Sequence, residues 1–209
     1  MHRIALLLIL TMALIAADLL VRLHAYGQSS QSSAASSQPS ARPQPLILQE
    51  GDGDHRVRRT GPNGGWPFTI KLDGQAGNAQ DFFVLTETMA PGQTIPFHKH
   101  DNAEEILLFE EAGATVIVGD KRGVAGPRSV IFIPRDTWIS ATNAGAHDIH
   151  LTAVFSRQGF ERYLRAASAK QGEPLAPMSR DELDRLRALG HSMYWDATKG
   201  PFPPGVAHP

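Results

Sequence analysis

The middle of the chain consists of short apolar runs that are separated by glycine, proline or polar turns. Each run is four to seven residues long, and most contain β-branched or aromatic residues, which favours strands over helices. Strands of this length and spacing predict an antiparallel sandwich or barrel. The predicted strands are residues 68–72, 82–88, 94–98, 105–109, 115–118, 130–133, 138–142 and 149–155.

One of these strands leads into His98-Lys99-His100, and Glu105 opens the next strand. Residues two apart in a strand point to the same face, so both imidazoles can converge on one point. A short turn would return the carboxylate of Glu105 beside them. Two histidines and one carboxylate with open coordination positions are the ligands of non-haem Fe(II) oxygenases, and imidazole also suits Zn, Cu and Ni. The sequence therefore predicts a divalent-metal site at these three residues.

Two alternatives remain open from the residues alone. His98 and His100 could be solvated or hydrogen-bonded strand residues, which a lone His-x-His pattern would favour. A further ligand could also come from His147 or His150, which lie just before and within the last predicted strand. Residues 143–147 are, however, typical of an exposed turn.

The spacing around the predicted ligands resembles the first motif of the cupin superfamily. That motif is a glycine, five residues, His-x-His, three or four residues, and a glutamate. Gly92, His98, His100 and Glu105 occupy those positions. The glycine that closes the motif comes one residue later than in the family, at Gly113.

The second cupin motif is recognisable but chemically altered. Gly126, Pro134 and Asn143 match its glycine, proline and asparagine, with two extra residues between the first two. Asp136 replaces a turn glycine, and Ile139 stands where the family has its fourth ligand, a histidine. This departure implies either changed chemistry or weaker retention of a metal.

The resemblance implies an all-β fold, namely a cupin-type jelly-roll barrel (double-stranded β-helix) with a short C-terminal helical extension. It also implies a divalent metal (Fe, Mn, Ni or Zn) and a small-molecule substrate or ligand. In a cupin dioxygenase, Glu105 would be a catalytic proton acceptor as well as a metal ligand. We expect an oxygen-dependent enzyme or, as the alternative, a cupin that binds a small molecule without turnover, in sensing, storage or scavenging, with a degenerate metal site.

The barrel interior around the metal is expected to be an apolar pocket. Phe97, Leu107, Trp138 and Ile139 are predicted to point inward and to line it. No independent general base or nucleophile stands out in the sequence. That absence favours the binding alternative over catalysis.

Composition limits the remaining classes. The chain has 209 residues, of which 42% are apolar, and a formal net charge of −1. A net charge near zero argues against nucleic-acid binding, which needs a clustered basic face. The single basic cluster, residues 56–59, is interpreted as a solvated edge. The chain has no cysteine, which excludes disulfides, a zinc ribbon and a thiol nucleophile.

Residues 1–27 are interpreted as a signal peptide or membrane anchor, because a basic start precedes an apolar run. The run suits the core of a signal but is short for a membrane span, and Asp18 interrupts it. As an uncleaved anchor it would use residues 4–21, and only then would the chain contact a membrane. Either interpretation places the folded part outside the cytoplasm, periplasmic or secreted. Residues 28–45, rich in Ser, Gln and Pro, are expected to be a disordered linker.

Residues 46–158 are expected to form the barrel and residues 159–209 a helical tail. One helix is predicted over residues 160–169, and a second begins with a Ser-x-x-Glu capping box at Ser179 and ends at Gly190. The tail resembles those of single-domain cupins related to quercetinase-like dioxygenases and is expected to cover the barrel or contact a second copy. Edge strands of such barrels often pair, so a homodimer is one option.

Overall fold

A computed structural model describes residues 42–59 and 65–208. The predicted signal peptide or anchor, residues 28–41 of the predicted linker and most of the loop at residues 61–65 lie outside this part of the chain. Among the described residues, no helix is long and apolar enough to cross a membrane.

Two antiparallel sheets make up most of the described chain. The strands are β1 (Asp54–Arg58), β2 (Pro67–Leu72), β3 (Phe83–Met89), β4 (Thr94–His100), β5 (Glu105–Phe109), β6 (Ala114–Val118), β7 (Lys121–Val124), β8 (Ser129–Ile133), β9 (Ile139–Asn143), β10 (Ile149–Phe155), β11 (Ser168–Lys170) and β12 (Ser192–Tyr194). The seven-stranded sheet has the order β11-β1-β2-β3-β10-β5-β8, and the five-stranded sheet has the order β12-β4-β9-β6-β7. All eight predicted strands are present, and the all-β prediction is confirmed. β5 and β10 have the predicted ends, and the other six differ by one or two residues.

The core lies between the two sheets, and alternation along each strand supplies it. In β3 every second residue from Phe83 to Met89 is buried, and in β10 the buried positions alternate from Ile149 to Phe155. Side chains from the five-stranded sheet, including Ile139 and Ala141, join the same apolar cluster. This alternation gives each sheet one apolar face, and burying those faces against each other stabilises the fold.

Four strands have no counterpart among the predicted ones. They are β1, β7, β11 and β12, and they are short, polar or both. All four residues of β7 are exposed, and it pairs only with β6 at the sheet edge. Such strands are held by backbone pairing rather than by an apolar face, so hydrophobic alternation does not reveal them.

Two helices follow the last barrel strand, α1 (Phe160–Ala166) and α2 (Arg180–Leu189). The first is shorter than predicted, because residues 168–170 pair with β1 as a strand instead of extending the helix. The second has the predicted cap, with the Oγ of Ser179 accepting a hydrogen bond from the backbone N–H of Glu182 at 3.2 Å. Gly190 ends this helix, as predicted.

Candidate metal centre

The three predicted ligands lie together between the two sheets. His98 and His100 project inward from β4, in the five-stranded sheet, and Glu105 is the first residue of β5, in the seven-stranded sheet. One ligand atom from each residue lies within 4.8 Å of the other two. All three side chains are buried. The spacing of these atoms suits one metal ion held across the two sheets.

A β-bulge orients the first histidine. The register of β4 against β9 shifts between Ile95 and His98, and Pro96 lies in the shifted segment, where its missing N–H costs no ladder hydrogen bond. The Nδ1 of His98 donates to the carbonyl oxygen of Pro96 at 2.9 Å. Because a carbonyl can only accept, Nδ1 carries the proton and Nε2 keeps a free lone pair.

The other two ligands have buried polar atoms without partners. Within the described chain, neither ring nitrogen of His100 forms a hydrogen bond, and the Oε2 of Glu105 accepts none. These groups face each other, with His100 Nε2 at 3.9 Å from Glu105 Oε2. Buried polar atoms are rarely left unpaired, since each one costs free energy. A cation between His100 Nε2 and Glu105 Oε2 would satisfy these two atoms, and the residues therefore fit a metal.

Burial sets the protonation of the site. Burial lowers the pKa of His98 to about 4, and it lowers the pKa of His100 well below its usual value. Burial also raises the pKa of Glu105 to about 8. At neutral pH both imidazoles are thus neutral and able to donate lone pairs. Glu105 is protonated without a cation and would ionise on binding one.

Ile139 closes the side of the site where the cupin motif has its fourth ligand. In the pairing of β4 with β9 it lies directly opposite His98, and it is 1% exposed.

Asp136, the other residue that departs from the second cupin motif, lies in the turn before β9. Its φ of 58° is in the left-handed region in which glycine is favoured. Asn143 is buried and holds the backbone through bonds to the carbonyl oxygens of Met89 and His147.

Neither alternative histidine joins the triad. His150 lies on the outer face of β10, exposed, where its Nδ1 is 3.0 Å from a carboxylate oxygen of Glu111. His147 is exposed in the turn before that strand. In the described part of the chain, the predicted triad is the only group of three such residues whose geometry could hold a metal ion.

The C-terminal segment covers the two histidines. The ring of Phe160, at the start of α1, lies 4.4 Å from the ring of His100, centroid to centroid. Tyr194 pairs with His98 in the register of β12 against β4, and their rings stack at 5.3 Å. Burial raises the pKa of Tyr194 well above its usual value, so its hydroxyl stays protonated. This segment excludes water from the site.

Sequence reasoning missed two charged residues beside the triad. Arg58 does not lie on a solvated edge, as predicted for its cluster, but forms an ion pair with Glu87, whose side chain is 3% exposed. Both residues line the same cavity as His98 and Glu105, a space of about 40 Å³. The signal for Glu87 was the alternation of β3, which places it on the buried face with Leu85.

Of the four residues predicted to line the pocket, only Leu107 lines the cavity beside the triad. Ile139 points inward as predicted, but it is buried in the core and does not line this cavity. Phe97 alternates with His98 and therefore faces outward, where its ring lies 5.9 Å from that of Phe202. Trp138 lies just before β9 and contacts Trp195, also at 5.9 Å. These two aromatic residues hold the C-terminal segment on the barrel instead of lining the pocket.

Comparisons with known proteins found one family match and several similar solved structures. The family described as Cupin domain matches residues 85–155. No curated protein matches the chain. Among solved structures, recombinant oxalate oxidase in complex with glycolate is similar with a TM-score of 0.46 and 20% identity, over 57% of this chain and 64% of that one. The chain thus spans slightly less than two thirds of that protein.

Two further structures show the same level of similarity. A predicted oxalate decarboxylase from Thermotoga maritima has a TM-score of 0.46 and 19% identity, over 54% of this chain and 99% of that chain. KdgF from Halomonas sp. has a TM-score of 0.45 and 12% identity, over 55% and 96%. The match at residues 85–155 agrees with the predicted family for that segment, and the described chain forms a jelly-roll fold with a short helical C-terminal part.

Proposed function

We propose that this cupin binds one divalent metal, iron, manganese, nickel or zinc, and acts on a small organic molecule in an oxygen-dependent reaction. The observation that supports the proposal most directly is the set of unpaired buried atoms on His100 and Glu105, next to the free Nε2 of His98. A divalent metal held by two histidines and one carboxylate supplies Lewis-acid and dioxygen chemistry at its open positions.

The surrounding residues provide what such a reaction needs from the protein. Pro96 fixes the ring of His98 through its carbonyl oxygen. Phe160 and Tyr194 exclude water, which strengthens electrostatic interactions in the cavity. Glu87 is a second carboxylate in the cavity, but Arg58 neutralises it in an ion pair, so Glu105 remains the candidate proton acceptor.

A second candidate is a cupin that binds a small molecule without turnover. Two observations favour it: Ile139 occupies the place of the fourth ligand, and the cavity of about 40 Å³ is small. A quercetin-sized substrate would require movement of the C-terminal segment. Oxygen consumption separates the two candidates, because only the enzyme would consume oxygen with a substrate.

Metal content tests the metal site that the first candidate requires. The full chain would be purified without a histidine tag, and its metals measured by plasma mass spectrometry. We expect near-stoichiometric metal in the wild type and its loss in the double variant His98→Ala, His100→Ala. The matched control is His150→Ala, which removes an exposed histidine outside the triad and should retain the metal. A wild type that stays metal-free after reconstitution with each of the four metals would contradict the proposal.

We also propose that the chain works outside the cytoplasm, either released by signal cleavage or anchored, and that it forms a homodimer. The proposed location rests on the sequence of residues 1–27. The proposed homodimer rests on the exposed edge strands β7 and β8. N-terminal sequencing of the protein from fractionated cells would distinguish a cleaved signal from an anchor. Analytical ultracentrifugation would determine the oligomeric state.

A further inference from the structure

The cavity beside the triad contains a second polar group, formed by Arg58, Trp66 and Glu87. Arg58 ends β1, Trp66 lies just before β2 and Glu87 is on the inward face of β3, so pairing of the three strands brings them together. They line the same space of about 40 Å³ as His98 and Glu105. A ligand bound at the metal would therefore also meet this group.

Two nitrogen–hydrogen donors in the group have no acceptor. The Nη2 of Arg58 is used by Glu87, but the Nε of Arg58 and the Nε1 of Trp66 are buried and make no hydrogen bond to any described residue. They are neighbours, because the guanidinium carbon of Arg58 lies 5.9 Å from the Trp66 ring centroid. Two buried donors without acceptors fit a ligand group that only accepts, such as a carboxylate oxygen.

The charge of the cavity favours the same kind of ligand. Arg58 and Glu87 neutralise each other. A divalent metal with Glu105 as its single anionic ligand would leave one positive charge uncompensated. The surroundings include the apolar side chains of Leu107, Phe155 and Phe160, and an unbalanced charge is costly in such a setting. A ligand with one negative charge would balance it.

We propose that Arg58 and Trp66 form a binding subsite for the carboxylate of a small organic acid, with the acid lying between them and the metal. This subsite rests on the proposed function, since it places the substrate beside the metal triad. The cavity volume of about 40 Å³ admits a few non-hydrogen atoms and so favours acids of two or three carbons. Larger acids would fit only if Phe160 or Tyr194 moved.

Acetate and acetamide test the subsite, because they have nearly the same shape and differ in charge. Their affinities for the metal-loaded full chain would be measured by isothermal titration calorimetry. We expect acetate to bind at least about tenfold more tightly than acetamide, and propionate to bind more tightly than benzoate. Equal affinities for acetate and acetamide would overturn the subsite.

Variants show whether the subsite or the metal alone holds the acetate. Trp66→Phe keeps an aromatic ring, leaves no buried charge unpaired and should weaken acetate binding about tenfold. The double variant Arg58→Gln, Glu87→Gln removes both charges together, which avoids an unpaired carboxylate, and should weaken it further. The control Arg122→Gln changes an exposed arginine in β7 and should have no effect.

Metal content of the same samples separates this inference from the proposed function. Metal at one ion per chain with acetate affinity unchanged in Trp66→Phe and in the folded double variant would overturn the subsite only. No metal in the wild type would overturn the proposed function. In that case, acetate binding that is lost in Trp66→Phe would still support an anion subsite in this cavity.

Discussion

Ile139 and His98 lie opposite each other in the antiparallel pairing of β9 with β4, and both side chains are buried. Opposite residues in such a pair have Cβ atoms about 4.5–5.5 Å apart and share one face of the sheet. A metal ligand at position 139 would therefore face the same space as the imidazole of His98. The departure from the cupin motif thus lies within the candidate site.

The variant Ile139→His should add a fourth ligand. We expect its affinity for divalent metal to rise at least about tenfold, because one more imidazole joins the site without a change of backbone. Competition titration with a chelating dye would measure the affinity. Ile117→His is the matched control, since Ile117 pairs with Ser140 and so faces away from Ile139. Unchanged affinity in a folded Ile139→His protein would show that position 139 does not face the metal.

The sequence predicts the triad well because its geometry is local. His98 and His100 are two apart, and only a short turn separates them from Glu105, so strand periodicity alone brings them together. Arg58 and Glu87 are 29 residues apart and meet through strand pairing, which no local pattern encodes. β1, which carries Arg58, has no apolar alternation to identify it as a strand.

The orientation of Phe97 could have been predicted from the same periodicity. If His98 faces the interior, then its neighbour in a strand faces outward. Trp138 is different, because it precedes β9 and its orientation depends on the contact with Trp195, 57 residues later. Metal binding itself remains a prediction, since it depends on an ion that the chain does not encode.

Metal affinity should depend on pH through Glu105. Burial holds the pKa of Glu105 at about 8 without metal, so below pH 8 a metal must displace its proton. The pKa of His98 is about 4 and that of His100 is well below its usual value, so neither ring competes near neutrality. Apparent affinity should therefore rise about tenfold per pH unit from pH 6.5 to 7.5 and level off above pH 8.5.

Titrations at several pH values in buffers that do not bind metals would test this dependence. Calorimetry in buffers of different ionisation enthalpy would count the released protons, and we expect close to one per metal at pH 7. Glu105→Gln is the control, because it keeps the shape of the side chain but cannot release a proton. Its affinity should be weaker and nearly independent of pH in this range. A flat wild-type profile would contradict the assignment of Glu105 as the titrating ligand.

Phe160→Ala should strongly destabilise the protein. Phe160 is 5% exposed and packs against His100, Phe155 and Tyr163, with ring centroids 4.4, 5.3 and 5.5 Å away. Removing a buried phenylalanine side chain costs about 3–5 kcal/mol of unfolding free energy. Urea denaturation would measure the change. Phe132→Ala is the control, since Phe132 is 54% exposed, and it should cost less than about 1 kcal/mol.

Gly190→Ala should loosen the cover over the site. Gly190 joins α2 to the segment that leads into β12, and a Cβ built on it would overlap with the Cβ of Tyr163. Neither atom belongs to a flexible side-chain end, so the backbone of α2 or α1 must shift, at a cost of about 1–3 kcal/mol. Because β12 carries Tyr194, which stacks on His98, this shift should also expose the histidines.

Two measurements would follow the effect of Gly190→Ala. The unfolding free energy should fall by about 1–3 kcal/mol. A chelator should remove bound metal several times faster than from the wild type, because release of the metal requires access of solvent. Gly123→Ala is the control, because Gly123 lies in exposed β7 and a methyl group added to it would have no atom within 4 Å. An unchanged rate of metal removal, together with the expected loss of stability, would show that β12 does not control access to the site.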